Sequence, residues 1–141
     1  MVVGEGFGGE PYEKLRFYQN VCEIRRLVSQ ITKRFEKTHF RLVGQMRDAA
    51  RSAKQNIREG YRKDSAGDFA RYIKISAGSQ EELAGDVDDC FEDQLITKEE
   101  YVHLKDLLGR TKYQVNRYLE SLYRLESEGK WKKRFRLRGN S

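Results

Sequence analysis

Apolar residues recur along this chain at alternating steps of four and three, the signature of helices that bury one stripe and solvate the rest. The first such run is Phe17, Val21, Ile24, Val28, Ile31 and Phe35, spaced 4-3-4-3-4, a heptad seam rather than a strand pattern. Leu15, Tyr18 and Cys22 fall off that seam, so this helix is apolar on more than one face, which hints at a partner chain. A second helix is expected from about Arg41 to Tyr61 on Leu42, Met46, Ala49, Ala53 and Ile57, with Gly60 marking its end. A third opens on Ser65 with Asp68 three residues later, the spacing of a capping box, and continues through Phe69, Ile73, Ala77, Leu83, Val87 and Cys90. Its Gly78 and Gly85, seven apart, cost helix propensity and are expected to serve close packing against another backbone. The fourth starts at Thr97, with Glu100 completing a second capping box, and carries Tyr101, Leu104, Leu108, Thr111, Val115, Tyr118, Leu122 and Leu125.

Every connection between these runs is a few residues long, so consecutive helices must turn back on one another. The predicted fold class is all-α, an antiparallel up-down-up-down four-helix bundle. No run of alternating β-branched residues competes with it, and there is no internal repeat. A length of 141 residues is one domain's worth. The expected division is a flexible, glycine-rich leader over 1–11, a bundle over 12–128 and a basic tail over 129–141. Charged residues make up 35% of the chain and no apolar run approaches the roughly 20 residues of a membrane span. The opening residues lack the charged and apolar regions of a secretion signal, which points to the cytoplasm. Cys22 and Cys90 sit within helical patterns, where two thiols serve packing rather than a metal cage.

Charge placement changes the picture more than the net +6 does. Residues 13–63 hold 14 basic and 5 acidic side chains, and residues 64–128 hold 8 basic and 15 acidic. The last 13 residues hold 6 basic and no acidic ones. Opposed fields of this kind favour polyanion binding, self-association or both. Within the second helix Arg47, Arg51, Lys54, Arg58 and Arg62 follow at 4-3-4-4, inside an arc of roughly 80 degrees. Like charges at that spacing repel, and a helix built only for stability would interleave acids. The stripe, extended by Lys63, is the candidate phosphate contact, unless acids of a neighbouring helix or subunit neutralise it. The tail supplies a second basic element: Lys130, Trp131, Lys132, Lys133, Arg134, Phe135, Arg136 and Arg138. Its cations suit phosphates and its two aromatic rings suit unpaired bases. A membrane surface would accept the same residues, and a merely solubilising tail is the plainer alternative.

Two Glu-x-x-His strings, Glu36 with His39 and Glu100 with His103, require a test against the di-metal sites of helical bundles. Such a site needs both strings facing inward at mid-bundle. Here the first lies beside a turn, and His103 falls roughly 110 degrees from the centre of its helix's apolar seam. No nucleophile with a base beside it and no phosphate-cradling glycine loop is suggested. The expectation is a protein without catalytic activity, metal or cofactor.

Residues 45–52 (QMRDAARS), 56–60 (NIREG), 68–72 (DFARY) and 77–79 (AGS), followed by Glu82 and Leu83, resemble the bacterial four-helix-bundle family of 23S ribosomal RNA intervening-sequence proteins. The resemblance spans roughly Tyr12 to Leu125 and includes the 96–101 connection (ITKEEY). It implies an up-down-up-down bundle, a homopentameric ring and binding of nucleic acid, RNA more than DNA. The same fold is shared by accessory proteins of diversity-generating retroelements, which implies a reverse transcriptase as a further candidate partner. The chain departs from the family pattern in two places. Ala53-Lys54 stands where relatives have Ile-Pro, and Arg58 where they have a small residue before Glu-Gly. Both enlarge the basic stripe.

Overall fold

In a computed structural model, which describes residues 11–129, a 3₁₀ turn at Pro11–Lys14 leads into four helices: α1 (Arg16–Ile31), α2 (Phe40–Tyr61), α3 (Ala66–Glu92) and α4 (Lys98–Ser127). A second 3₁₀ turn, Thr32–Phe35, extends α1. Thr97 Oγ1 accepts the amide of Glu100, whose side chain accepts the amide of Thr97 in return, a complete capping box. Ser65 Oγ accepts the amide of Asp68 at 3.0 Å, but no reciprocal bond forms. The expected second box is therefore a simple N-cap, because an aspartate at that position is one methylene shorter than the glutamate a box uses. The turn after α3 passes through Gln94 at φ 61°, and Leu95 N donates to Cys90 O at 2.8 Å, satisfying a carbonyl at the helix end.

Cross-helix contacts descend on one helix as they climb on the next, so neighbours run antiparallel. Gln45 meets Asp86, Ser52 meets Ser79, and Tyr61 meets Phe69. Asp88 meets Tyr101, and Lys74 lies over the ring of Tyr123. Around the other side Phe17 packs on Tyr118, Asn20 bonds Gln114, and Arg34 pairs with Glu100. At one end Glu126 of α4 accepts the amide of Gly67 at 3.0 Å, closing the first turn of α3.

The predicted α1 seam is buried in full, from Phe17 at 3% to Phe35 at 5% exposure. The residues off the seam are covered from within the chain: Tyr18 is buried edge-on against Tyr12, and Leu15 and Cys22 pack on the same cluster. On α2 the buried line is Val43, Met46, Ala50, Ala53 and Ile57, with Leu42 and Ala49 only half-buried. Met46, Ala53 and Ile57 are buried as expected, while Val43 and Ala50 take the places expected of Leu42 and Ala49. The core divides into two apolar clusters. Along α3 the buried polar residues Ser76, Ser79 and Gln80 fall between Ile73 of one cluster and Leu83 of the other. Ser76 Oγ donates to Ala53 O at 2.6 Å, and Ser52 Oγ shares a 2.9 Å hydrogen bond with Ser79 Oγ.

The glycines trade the roles expected of them. Gly78 and Gly85 have open space where a Cβ would stand, so neither marks a close approach within the chain. Gly60 does: a Cβ there would meet Tyr72 Cβ at 2.6 Å and the Phe69 ring at 3.1 Å. It lets α2 and α3 converge just before their turn. Both cysteines are free thiols.

Candidate nucleic-acid interface

The five cations of the α2 stripe share one side of the helix but not one environment. Arg47 is taken up by α1. Its Nε donates to Thr32 Oγ1 at 3.1 Å, and its Nη2 to Ser29 O at 3.4 Å and to Glu36 Oε1 at 2.7 Å. The expectation of an unpaired stripe therefore fails at this position. The α1–α2 hairpin brings back a carboxylate eleven residues away in sequence, which helical spacing within α2 cannot reveal. Lys63 lies 3.4 Å from Glu59 and 5.2 Å from the centre of the Tyr72 ring.

Further along, the stripe opens. Arg51 is exposed, Lys54 and Arg58 are half-buried, and none of the three has a hydrogen bond or ion pair among the described residues. Arg62 is exposed beyond them. With Asn56 and Glu59, Arg58 and Arg62 border a shallow concavity of about 410 Å³. Long half-buried cations of this kind can lay their aliphatic stems on the helix surface and offer the charge to a polyanion.

The stripe also extends where helical spacing in α2 could not place it. Burial pushes the Cys22 thiol up, and the charges of Lys54 from α2 and Arg25 from α1 act against that shift. Burial likewise raises the Tyr18 hydroxyl, with the charge of Arg58 opposing. Lys54 and Arg25, along with acidic Glu13, act on the Cys22 thiol between α1 and α2, and Arg58 acts on nearby Tyr18; exposed Arg25 is thus a cation on the α1 side of this groove that sequence reading missed. The antiparallel register of the two helices was the signal that would have found it. The tail residues Lys130, Trp131, Lys132, Lys133, Arg134, Phe135, Arg136 and Arg138 lie outside the described residues.

The other side of α2 faces α3 and is chemically different. Gln45 Nε2 donates to Asp86 Oδ1 at 3.0 Å, and Asn56 Nδ2 donates to Ser52 O at 2.9 Å. Asp86 is buried, and that burial, with the charges of Asp89 and Glu82, raises its pKa against the Gln45 hydrogen bond.

The Glu-x-x-His strings are occupied in structural work. Glu36 holds Arg47, while His39 packs edge-on to Phe35 with Nδ1 2.8 Å from Thr38 Oγ1. Glu100 joins the capping box and accepts both Nη atoms of Arg34 at 2.6 Å, which lowers its pKa to about 2. His103 is exposed. Among the described residues no three His, Cys, Asp or Glu side chains are grouped to hold a metal ion. Nor is any described helix long and apolar enough to cross a membrane.

The family model of the 23S rRNA-intervening sequence protein matches residues 13–117, which takes in α1, α2, α3 and most of α4. The chain belongs to that family. A solved structure of a protein of unknown function from the S23 ribosomal protein family of Bacteroides thetaiotaomicron is similar to this family member in fold. The two are 18% identical with a TM-score of 0.64, over 74% of this chain and 95% of the other. A comparison with curated proteins gives no match. The matched span includes the α1–α2 groove and ends before the basic tail.

Proposed function

We propose that this family member is a non-catalytic, homo-oligomeric nucleic-acid-binding protein that holds phosphates against the α1–α2 groove, with Arg25, Arg51, Lys54, Arg58 and Arg62 as the contacts. The observation that carries this reading is that Arg51, Lys54 and Arg58 stand on one side of α2 with no carboxylate partner among the described residues. Phosphate contact of this kind positions a nucleic acid without reading its bases. RNA is the favoured polyanion because the family's own description names an RNA, and a pentameric ring would multiply the contacts.

Binding of single-stranded RNA, measured as a function of salt, tests the proposal. Four Gln substitutions at Arg25, Arg51, Lys54 and Arg58 should flatten the log–log salt slope by about 3 and weaken binding by about two orders of magnitude at 0.15 M salt. An unchanged slope would remove the groove as the contact. Native mass with and without nuclease separates a protein ring from one assembled by RNA. A second reading, an adaptor for a reverse transcriptase and its template RNA, draws on the fold that the resembled family shares with retroelement accessory proteins. It predicts a stoichiometric protein partner from the native host that survives nuclease treatment.

A further inference from the structure

The outer groove between α2 and α3 is an acidic, partly apolar surface to which the nucleic-acid reading gives no role. It is an open concavity of about 630 Å³ bordered by Phe40, Arg41, Asp48 and Glu82. Phe40 leaves 70% of its surface in solvent, and nothing lies within 4 Å of where a Cβ on Gly44 would stand. The groove therefore has both apolar surface and room. Glu82, Asp86, Asp89 and Asp93 follow at steps of 4, 3 and 4 along α3, one continuous stripe. Residues 81–93 include seven acids and no Lys or Arg. Asp86 is buried on this stripe, bonded through Oδ1 to Gln45 of the groove, and its Oδ2 has no hydrogen-bond partner. A desolvated carboxylate flanked by two more is an arrangement that an incoming cation completes.

The chain itself contains a segment of complementary chemistry. Residues 130–138 include six cations and no acid, interleaved with Trp131, Phe135 and Leu137. We propose that the α2–α3 groove receives residues 130–138 of a second copy of this chain, with the cations against Glu82, Asp89 and Asp93 and an aromatic ring against Phe40. The assignment to a second copy rests on reach. The Glu126–Gly67 hydrogen bond sets the end of α4 beside the start of α3. From there Glu82 is about 22 Å and Asp93 about 39 Å along the α3 axis at a helical rise of about 1.5 Å per residue. Nine extended residues span at most about 32 Å. The chain's own segment would therefore miss Asp93, and would lay its first cations beside Arg71, exposed on the same face of α3. The segment of a neighbouring copy is not held to that starting point. This docking leaves the α1–α2 groove open and stands independently of what that groove binds.

The test uses the full chain, treated with nuclease, carrying Trp131→p-benzoylphenylalanine in an equal mixture of ¹⁴N- and ¹⁵N-labelled copies. After irradiation, cross-linked peptides should join light to heavy chains and land on residues 40–52 and 79–93. The variant Glu82→Lys/Asp89→Lys/Asp93→Lys should cut that yield at least about tenfold while keeping its helical circular dichroism. Adding Lys132→Glu/Lys133→Glu/Arg134→Glu to the same chain should restore it. Cross-links confined to one copy, cross-links elsewhere on the bundle, no rescue by the double charge reversal, or capture only of added single-stranded RNA would each overturn the proposal. RNA affinity of the four-Gln variant is read separately, so failure of one idea leaves the other measurable.

Discussion

The two long sides of α2 show how one helix carries two unrelated kinds of surface. Toward α1 it presents long cations: Arg47 is fixed by Thr32, Ser29 and Glu36, whereas Arg51, Lys54 and Arg58 have no hydrogen bond or ion pair among the described residues. Toward α3 it presents Gln45, Ser52 and Asn56, each engaged by a short hydrogen bond. On the first side Arg51, Lys54 and Arg58 do little for the fold, which is what the proposed phosphate contact requires. On the second the polar groups are spent within the chain. Polar residues on a bundle helix are thus not all surface decoration, and what separates Gln45, Ser52, Asn56 and Arg47 from Arg51, Lys54 and Arg58 is whether the chain supplies the other half of a hydrogen bond.

Substitutions can break this contrast, beginning with the largest effect. Gly60→Ala places a Cβ 2.6 Å from Tyr72 Cβ, and backbone on both helices must move to admit it. It should destabilise the bundle by about 2 kcal/mol despite the better helix propensity of alanine, read from the urea midpoint. Ser76→Ala deletes the 2.6 Å bond to Ala53 O and leaves Gln80 Nε2 without its acceptor. The expected cost is about 1–2 kcal/mol, with RNA affinity per folded molecule unchanged. Arg47→Gln, on the cationic side, should cost about 1 kcal/mol of stability through the lost tie to α1. It should change the RNA salt slope less than Arg51→Gln does. A salt slope equally sensitive to both would mean that Arg47 leaves Glu36 when RNA binds.

The smallest effect is in the pH dependence, where two carboxyls act with opposite sign. Glu100 is held down to about 2 by the hydrogen bond from Arg34. Its stabilisation is complete above the ordinary carboxylate range and disappears as the pH falls through that range toward 2. Asp86 is shifted upward by burial, so its charged form costs stability at neutral pH, and acid relieves that cost. Asp86→Asn should raise the urea midpoint at pH 7 and lose its advantage as the pH is lowered below the Asp86 titration. An advantage that persists unchanged to pH 3 would mean that packing, not charge, explains it.

Much of the fold was legible because α1 and α4 each bury one heptad line against the centre. The α1 seam needed no correction. On α2 the helix packs against α1 and α3 at once, and small alanines mark both contacts, so Ala49 and Ala50 could not be ranked by pattern alone. Gly78 and Gly85 were read as close contacts because glycine in a helix interior costs stability, yet the close approach is at Gly60, beside the turn. Cation spacing within α2 was readable from the sequence. The capture of Arg47 by Glu36 and the addition of Arg25 from α1 depend on how two antiparallel helices register, which neither helix encodes by itself.

The chain of hydrogen bonds from Ser52 to Ser79 and from Ser76 to Ala53 has a mechanical consequence. Two purely apolar helices can slide past each other by a turn, about 5.4 Å, and find new knobs and holes of similar energy. Here the same slip would break both bonds and strand the buried Ser76 and Ser79 hydroxyls. Helices α2 and α3 are thereby pinned against axial creep, and a load applied along the bundle would be transmitted through that pair as through a rigid strut.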